Sequence, residues 1–244
     1  MINILVIMRR ELTAFFSSSL AVVFLAVFVG GVQALTFFVG DFFEAGQANL
    51  ASFFTFHPWV FLALIPAIGM RLWSEERRVG TLEFLMTLPI AAWQAVVGKF
   101  LAAWLFVGLA LVLTFPIWIT VNYLGDPDNG VIIASYLGSF LMAGALLALT
   151  CCVSALTRNQ VTAFVLSVTI GLSMMLAGQD IVLALFSPWA PSFLVDLVGS
   201  LSFARHFDAI TRGVIEASDV IFYSSMIVLF LFINVQILDL RRGH

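Results

Sequence analysis

Six long stretches of this sequence contain no Asp, Glu, Lys or Arg, and their lengths limit what the chain can fold into more than any other feature. They are residues 12–40, 45–70, 100–125, 129–157, 159–179 and 220–238. The hydrocarbon core of a bilayer is about 30 Å thick, so a helix needs about 20 apolar residues to cross it. Each stretch is long enough to cross once and too short to cross twice. The sequence therefore predicts an all-α integral membrane protein.

The overall composition agrees with this class. Hydrophobic residues make up 62% of the 244 residues and charged residues only 10%, whereas soluble domains are about 25% charged. The formal net charge of −3 offers no electrostatic attraction for nucleic acid. Two cysteines are too few for a disulfide scaffold. Soluble, nucleic-acid-binding and disulfide-stabilised classes are thus excluded.

We interpret the chain as one transmembrane domain, 1–244, with six membrane-spanning helices. The predicted spans are residues 20–39, 58–73, 100–123, 131–156, 160–177 and 220–238. Residues 1–19 have apolar positions at helical spacing together with Arg9 and Arg10, which is typical of an amphipathic interfacial helix. The alternative is a frayed tail continuous with the first span. A cleaved signal peptide is disfavoured because the apolar run continues to Val39.

The basic residues predict the orientation. An even number of spans puts both termini on one side, and cytoplasmic segments are enriched in Lys and Arg. With the termini in the cytoplasm, only Arg205 and Arg212 of the eleven basic residues lie outside. The nine on the cytoplasmic side are Arg9, Arg10, Arg71, Arg77, Arg78, Lys99, Arg158, Arg241 and Arg242. We therefore expect both termini in the cytoplasm.

The spans lack the groups that drive chemistry. Ionisable residues near the bilayer midplane mark proton-coupled and ion-coupled transporters, and the predicted spans have none there. His57, His206 and His244 share no metal-ligand spacing. The pair Gly98-Lys99 follows no glycine-rich turn and does not form a phosphate-binding loop. We expect no catalytic, metal or cofactor site in this chain, so its energy source is encoded elsewhere.

The densest charge cluster lies in the cytoplasmic segment 74–98. Four consecutive charged residues of this segment, Glu75, Glu76, Arg77 and Arg78, are expected to be solvated on a polar extension of the second span. Gly80 can adopt the left-handed conformation that ends a helix. Thr81 can then cap a short helix with Glu83 in its first turn and Phe84 on its apolar surface. An apolar helix between charged flanks is typical of a docking surface; the alternative is an interfacial helix lying against lipid.

This segment resembles a known family. Residues 74–89, with the sequence SEERRVGTLEFLMTLP, and the following Gly98-Lys99 resemble the permease subunits of type-2 ABC (ABC-2) transporters. In that family the pattern E-x-G-T-(L/x)-E-x-L-(L/M)-x-x-P forms a coupling helix that sits in a groove of the ATP-binding subunit. The family also has an amphipathic N-terminal helix, six spans, cytoplasmic termini and short outer helices between spans five and six. The resemblance covers essentially the whole chain.

The resemblance implies a permease subunit in a bacterial inner membrane. Such a subunit forms a homodimer or a related heterodimer and pairs with two copies of an ATP-binding subunit, which holds ATP and Mg. It couples ATP hydrolysis in that partner to export or translocation of a substrate that the sequence does not identify. The implied coupling residues are Glu75, Glu76, Arg77, Arg78, Gly80, Thr81, Glu83 and Phe84. Arg158 is a second candidate contact, or simply a cytoplasmic anchor.

The outer segment 178–218 contains a second amphipathic pattern. Phe203, Phe207, Ile210 and Val214 recur at helical spacing, and Gly213 marks a break. Together with Arg212, the first three residues form a candidate outer gate; the alternative is a surface helix that seals the spans. The segment resembles the gliding-motility and multicopper-maturation branch of the family, whose members can work with a separate extracytoplasmic accessory protein. Other hypotheses are a mechanical device acting on envelope proteins and a non-transporting scaffold.

Overall fold

The computed structural model describes residues 2–44, 46–82, 90–186, 188 and 190–242, and over these residues it contains helices and turns without strands. The all-α class predicted from the sequence is confirmed. The helices are α1 (Ile2–Ser17), α2 (Ser19–Ala34) with a π-helical turn (Leu35–Val39), α3 (Ala51–Gly69), α4 (Arg71–Val79), α5 (Ala92–Val112), α6 (Phe115–Leu124), α7 (Asn129–Leu156), α8 (Gln160–Leu176), α9 (Asp180–Phe186), α10 (Ser192–Ser200), α11 (Phe203–Thr211) and α12 (Ala217–Arg242).

The described residues are consistent with about six spans. Five segments are long and apolar enough to cross a membrane: Ala21–Val39, Ala51–Val79, Ala92–Leu124, Asn129–Leu156 and Ala217–Leu240. A shorter apolar helix, Gln160–Leu176, supplies the sixth. Helix α7 is the most buried of the long segments and packs against α3, α5, α8, α11 and α12. It is therefore the central helix of the bundle.

Two spans begin about two helical turns earlier than the sequence predicts. Helix α3 begins at Ala51 instead of residue 58, and Pro58 lies in its interior. Proline favours the first turn of a helix, but the preceding apolar residues Phe53 and Phe54 are buried in the core and extend the helix toward the N-terminus. Helix α5 begins at Ala92 instead of residue 100. In both cases burial, rather than proline or charge, sets the boundary.

Two spans are each built from two consecutive helices. The second span breaks at Met70, between α3 and α4, and continues to Val79. The third breaks at Leu113 and Thr114, and Pro116 lies in the first turn of α6. Pro116 contributes to this break, because proline lacks the amide that would continue the hydrogen bonding of the preceding helix.

Helix α1 lies along the start of α5. Ile7 is buried and packs on Gly98, where an added Cβ would lie 2.9 Å from its side chain. The Asn3 side-chain amide also donates to Gln94 Oε1 at 3.1 Å. Helix α1 is therefore a docked helix. We name the end of the bundle where α1 lies the α1 end. The opposite end, where α11 lies, is named the far end.

Close helix packing in the core depends on a glycine of α7. A Cβ on Gly144 would lie 2.7 Å from Trp104 Nε1 on α5 and 3.0 Å from Ile227 Cδ1 on α12. The Trp104 indole is held in place by donation to the Phe140 carbonyl at 2.9 Å. Because both neighbours are packed, Gly144 allows three helices to meet closely.

We expect Gly144→Ala to destabilise the protein by about 1–3 kcal/mol, the usual cost of overpacking a core. Gly30→Ala on α2 is the matched control, because a Cβ there meets nothing within 4 Å and alanine favours a helix more than glycine does. Thermal unfolding of both variants in detergent measures the difference. Equal melting temperatures for Gly144→Ala and wild type would contradict this packing.

Candidate functional site

Helix α4 is the polar continuation of α3 at the α1 end, and a serine of α7 caps its first turn. The backbone amides of Trp73 and Ser74 donate to the Ser154 hydroxyl oxygen at 3.1 and 3.0 Å. That hydroxyl donates in turn to the Met70 carbonyl at 2.7 Å. The first amides of a helix have no partner within it, so Ser154 replaces the side-chain cap that Met70 does not supply.

Further contacts fix α4 against the last turns of α7. The Trp73 indole N–H donates to Cys151 Sγ at 3.2 Å, and the Asn234 amide of α12 donates to the same sulfur at 3.1 Å. Arg77 donates to the Ala155 carbonyl at 2.9 Å. Cationic side chains at a helix C-terminus satisfy its free carbonyls and its dipole. Helices α4 and α7 therefore meet through hydrogen bonds as well as through apolar packing.

A buried lysine connects α4 to α1 and α5. Only 2% of the Lys99 side chain is exposed, and its Nζ lies 3.0 Å from Glu11 Oε1 and 2.8 Å from Glu76 Oε1. Arg10 also pairs with Glu11 and lies 3.6 Å from Glu76 Oε1. The Lys99 ammonium stands 5.2 Å from the centre of the Trp73 ring, within the range of a cation–π contact. Two cations and two carboxylates thus join three helices.

The cations of this cluster stabilise the charged form of Glu11. Burial alone would raise the pKa of Glu11, but the charges and hydrogen bonds of Lys99 and Arg10 outweigh it and hold that pKa below its usual value. A lowered carboxyl pKa means that the folded protein stabilises the carboxylate. The cluster, which we name the Lys99 cluster (Arg10, Glu11, Glu76 and Lys99), is therefore a set of paired charges.

The end of α4 has the geometry predicted for it. Gly80 has a φ of 79° in the left-handed region, and its amide donates to the Glu76 carbonyl. The Thr81 hydroxyl donates to the same carbonyl at 3.4 Å, so it contacts the end of α4 in addition to preceding the next segment. Glu83 and Phe84 lie outside the described residues, as does the rest of the predicted coupling helix to residue 89.

One expectation for α4 is wrong. The charged residues were expected to be solvated, but only 18% of the Glu76 side chain is exposed because it pairs with Lys99. Arg77 is also half-buried on α7. Glu75 pairs with Arg71 at 2.9 Å and contacts Arg78 at 3.9 Å. Glu75 and Arg78 thus form the more exposed side of α4.

Arg158 lies at the same end of the bundle. It is exposed in the turn between α7 and α8, three residues after the Ala155 carbonyl that accepts from Arg77. Arg158 and the Arg77 side chain therefore both lie near the last turn of α7, although the two residues are far apart in the sequence.

The candidate outer gate residues divide into three that are buried and Arg212, which is exposed. Phe203, Phe207 and Ile210 are buried, and the Tyr223 hydroxyl donates to the Phe203 carbonyl at 2.7 Å. Helix α11 ends at Thr211, so the prediction that Val214 continues the apolar stripe is wrong; Val214 is 59% exposed. Phe203, Phe207 and Ile210 pack α11 against α7 and α12. The stripe stops there because the helix ends before its fourth position.

Two polar residues fix the far end. His206 Nδ1 lies 2.6 Å from Asp219 Oδ1 at the start of α12, and His206 Nε2 lies 3.0 Å from the Ser200 carbonyl. The imidazole stacks on Phe222 at 4.0 Å. Helices α10, α11 and α12 are joined by this one side chain. Gly213, with a φ of 90°, forms the break expected after α11.

The pairing of charges in the Lys99 cluster was not predicted from the sequence. The sequence patterns placed Lys99 on the cytoplasmic side and excluded Gly98-Lys99 as a phosphate-binding loop, but they did not identify Glu11 as the partner of Lys99. One signal was present: Lys99 is the only lysine in the sequence and lies beside a long uncharged stretch. A cation at that depth requires a charged partner. Among the residues that the structure describes, no group of three or more His, Cys, Asp or Glu side chains could hold a metal ion.

Comparison with known families decides the class. The sequence matches the family described as ABC-2 family transporter protein over residues 19–238, a range that starts before the first span and extends into the last one, Ala217–Leu240. The chain belongs to the ABC-2 transporter family. It is thus the membrane component of an ABC transporter, a permease subunit. No curated protein matches the chain.

We expect Lys99→Gln to destabilise this ABC-2 permease by about 3 kcal/mol, the lower end of the cost of breaking a buried ion pair, because Glu11 and Glu76 would keep only Arg10 as a counter-charge. Arg9→Gln on the exposed side of α1 removes the same charge and should change stability by less than about 0.5 kcal/mol. Thermal unfolding in detergent at neutral pH compares the two. A Lys99→Gln protein as stable as Arg9→Gln would show that the cluster contributes nothing.

The lowered pKa of Glu11 predicts a pH dependence. A folded pKa below the unfolded value gives stability that is fully present above the usual glutamate pKa, about 4.3, and that is lost as pH falls through the lower folded pKa. The stability difference between wild type and Glu11→Gln should therefore be largest at neutral pH and shrink below about pH 4. Melting temperatures across this range measure it; a constant difference would contradict the pairing.

Proposed function

We propose that this permease couples ATP hydrolysis in a separate ATP-binding subunit to export or membrane translocation of a substrate. The α1 end faces the cytoplasm of a bacterial cell, and the inner membrane holds the spans. The ATP-binding subunit docks on the segment that follows Gly80, including Glu83 and Phe84. The observation that carries the proposal is the attachment of α4, the helix directly before this segment, to three other helices of the bundle.

Helix α4 is suited to transmit movement. It continues the membrane-spanning α3, its first turn is capped by Ser154 of α7, and Lys99 ties Glu76 to α1 and α5. A displacement applied at Gly80 therefore acts on hydrogen bonds and ion pairs that belong to several spans at once. Buried charge pairs have strict geometry, so these helices move together.

Membership of the family supports the remaining parts of the proposed assembly. Two ATP-binding subunits bind ATP and Mg and perform the hydrolysis, so that this chain supplies no catalytic residue. A second permease copy, identical or related, completes the pathway across the membrane. Arg158 supplies a second contact to the ATP-binding subunit, because it is exposed and lies three residues after the Ala155 carbonyl that accepts from Arg77 of α4.

The first test is the complex itself. The permease is purified with the ATP-binding subunits encoded beside it, and ATPase activity is measured in nanodiscs and compared with that of the ATP-binding subunit alone. We expect a stable complex whose ATPase activity depends on the permease. Glu83→Arg should reduce this dependence without releasing the permease from the membrane. A permease that binds no ATP-binding subunit would contradict the proposal and favour a scaffold.

Gly80 allows a sharper test. Its φ of 79° is tolerated by asparagine but strains a β-branched residue by about 1–3 kcal/mol. A Cβ at Gly80 meets nothing within 4 Å, so the two substitutions differ in backbone preference and not in clashes with the described residues. We expect Gly80→Val and Gly80→Pro to lower permease-dependent ATPase activity by about tenfold, while Gly80→Asn retains it. Equal activities of the Val and Asn variants would contradict a role for this turn.

A further inference from the structure

A cavity at the far end is lined by both apolar and charged residues. It lies away from α4 and from the proposed docking site of the ATP-binding subunit. It has a volume of about 350 Å³ and lies between the starts of α3 and α7 and the end of α11. Its inner wall includes Leu50, Phe54 and Ile132, all buried. Since α3 and α7 begin spans there, the cavity lies at the membrane surface, with an apolar wall and a polar rim.

The cation on this rim is Arg212. Its guanidinium forms no hydrogen bond or ion pair with the described residues, although its charge partly opposes the rise that burial causes in the pKa of Asp208. Most of the other polar side chains nearby already donate elsewhere: the Thr55, Ser135 and Thr211 hydroxyls donate to carbonyls of their own helices, and the Asn49 amide donates to Gln47 Oε1 at 2.9 Å. Arg212 is therefore the positively charged donor that this rim, among the described residues, can offer a ligand.

The rim also carries an anion. Asp128 lines the cavity and caps α7, where its Oδ1 accepts from the Gly130 and Val131 amides at 2.9 and 3.2 Å. A carboxylate can accept from more than these two donors, and Asp128 is exposed. The cavity thus presents one positive and one negative side chain around an apolar wall.

We propose that this cavity binds the headgroup of a phospholipid that carries both a phosphate and an ammonium group. Arg212 binds the phosphate, because guanidinium donors match phosphate oxygens in pairs. Asp128 attracts the ammonium, and the first carbons of the acyl chains cover Leu50 and Phe54. The inference requires only that the chain spans a membrane, and it does not depend on coupling to an ATP-binding subunit.

The position of the cavity gives such a lipid a structural role. Arg212 directly follows α11, and a Cβ on the neighbouring Gly213 would lie 2.7 Å from Val131 Cγ2 on α7. A lipid held by Arg212 and Asp128 therefore bridges the end of α11 and the start of α7. It braces the outer helices against the central helix.

The test uses the full chain in nanodiscs of equimolar phosphatidylethanolamine and phosphatidylglycerol, with retained lipid measured by native mass spectrometry. We expect wild type to retain phosphatidylethanolamine preferentially and Arg212→Gln to lose about tenfold in retention. Arg212→Lys should restore part of it. Arg205→Gln is the matched control, since Arg205 is an exposed cation of α11 that does not line the cavity.

Asp128→Asn tests the second half of the proposal. Asparagine caps a helix as well as aspartate does, so the fold of α7 is kept while the negative charge is removed. We expect this variant to bind both lipids alike. Equal retention by wild type and Arg212→Gln, or equal loss in Arg205→Gln, would overturn the site. Complete displacement of lipid by inorganic phosphate would also overturn it, because the site would then be one for a free anion.

Discussion

A membrane-spanning chain must satisfy its backbone polar groups without water, and the architecture of this permease follows from that constraint. Continuous helices meet it automatically, but the second and third spans are broken. At Met70 the partner is Ser154 of α7, which caps the amides of α4 and donates to the Met70 carbonyl. At the other break, the Thr114 hydroxyl donates to the Leu111 carbonyl and contacts the Tyr136 hydroxyl. Each break thus lies beside a polar side chain of α7, the central helix of the bundle.

The Lys99 cluster solves a second problem of the same kind. A buried ammonium without a partner would cost several kcal/mol, so Lys99 requires both Glu11 and Glu76, which come from helices on either side of it. With Arg10 included, the cluster contains two positive and two negative charges. Ion pairs of this kind add little net stability compared with apolar packing, but breaking one is costly. Their contribution is therefore to fix how α1, α4 and α5 sit together.

The sequence predicts the parts of this structure that depend on local patterns. The number of spans follows from the uncharged stretches, and the left-handed Gly80 follows from the change from a polar helix to a new segment. Contacts between distant residues do not follow: Lys99 and Glu11 are 88 residues apart, and no local pattern pairs them. Glu76 was predicted to be solvated because no local pattern pairs it with Lys99. The apolar stripe of α11 was extended to Val214 because periodicity alone does not show that the helix ends at Thr211.

The two ends of the permease are connected by one element. Helix α7 has 28 residues and is therefore about 42 Å long. It caps α4 through Ser154 at the α1 end, and at the far end Gly138 packs closely against Ile210 of α11. A single rigid helix in contact with both is a physical route between them, whereas proximity alone is not. If α4 tilts under the ATP-binding subunit, α7 must either tilt with it or lose the hydrogen bonds of Ser154. Because those bonds satisfy buried backbone groups, tilting is the less costly response, and α11 follows because it is packed on the same helix.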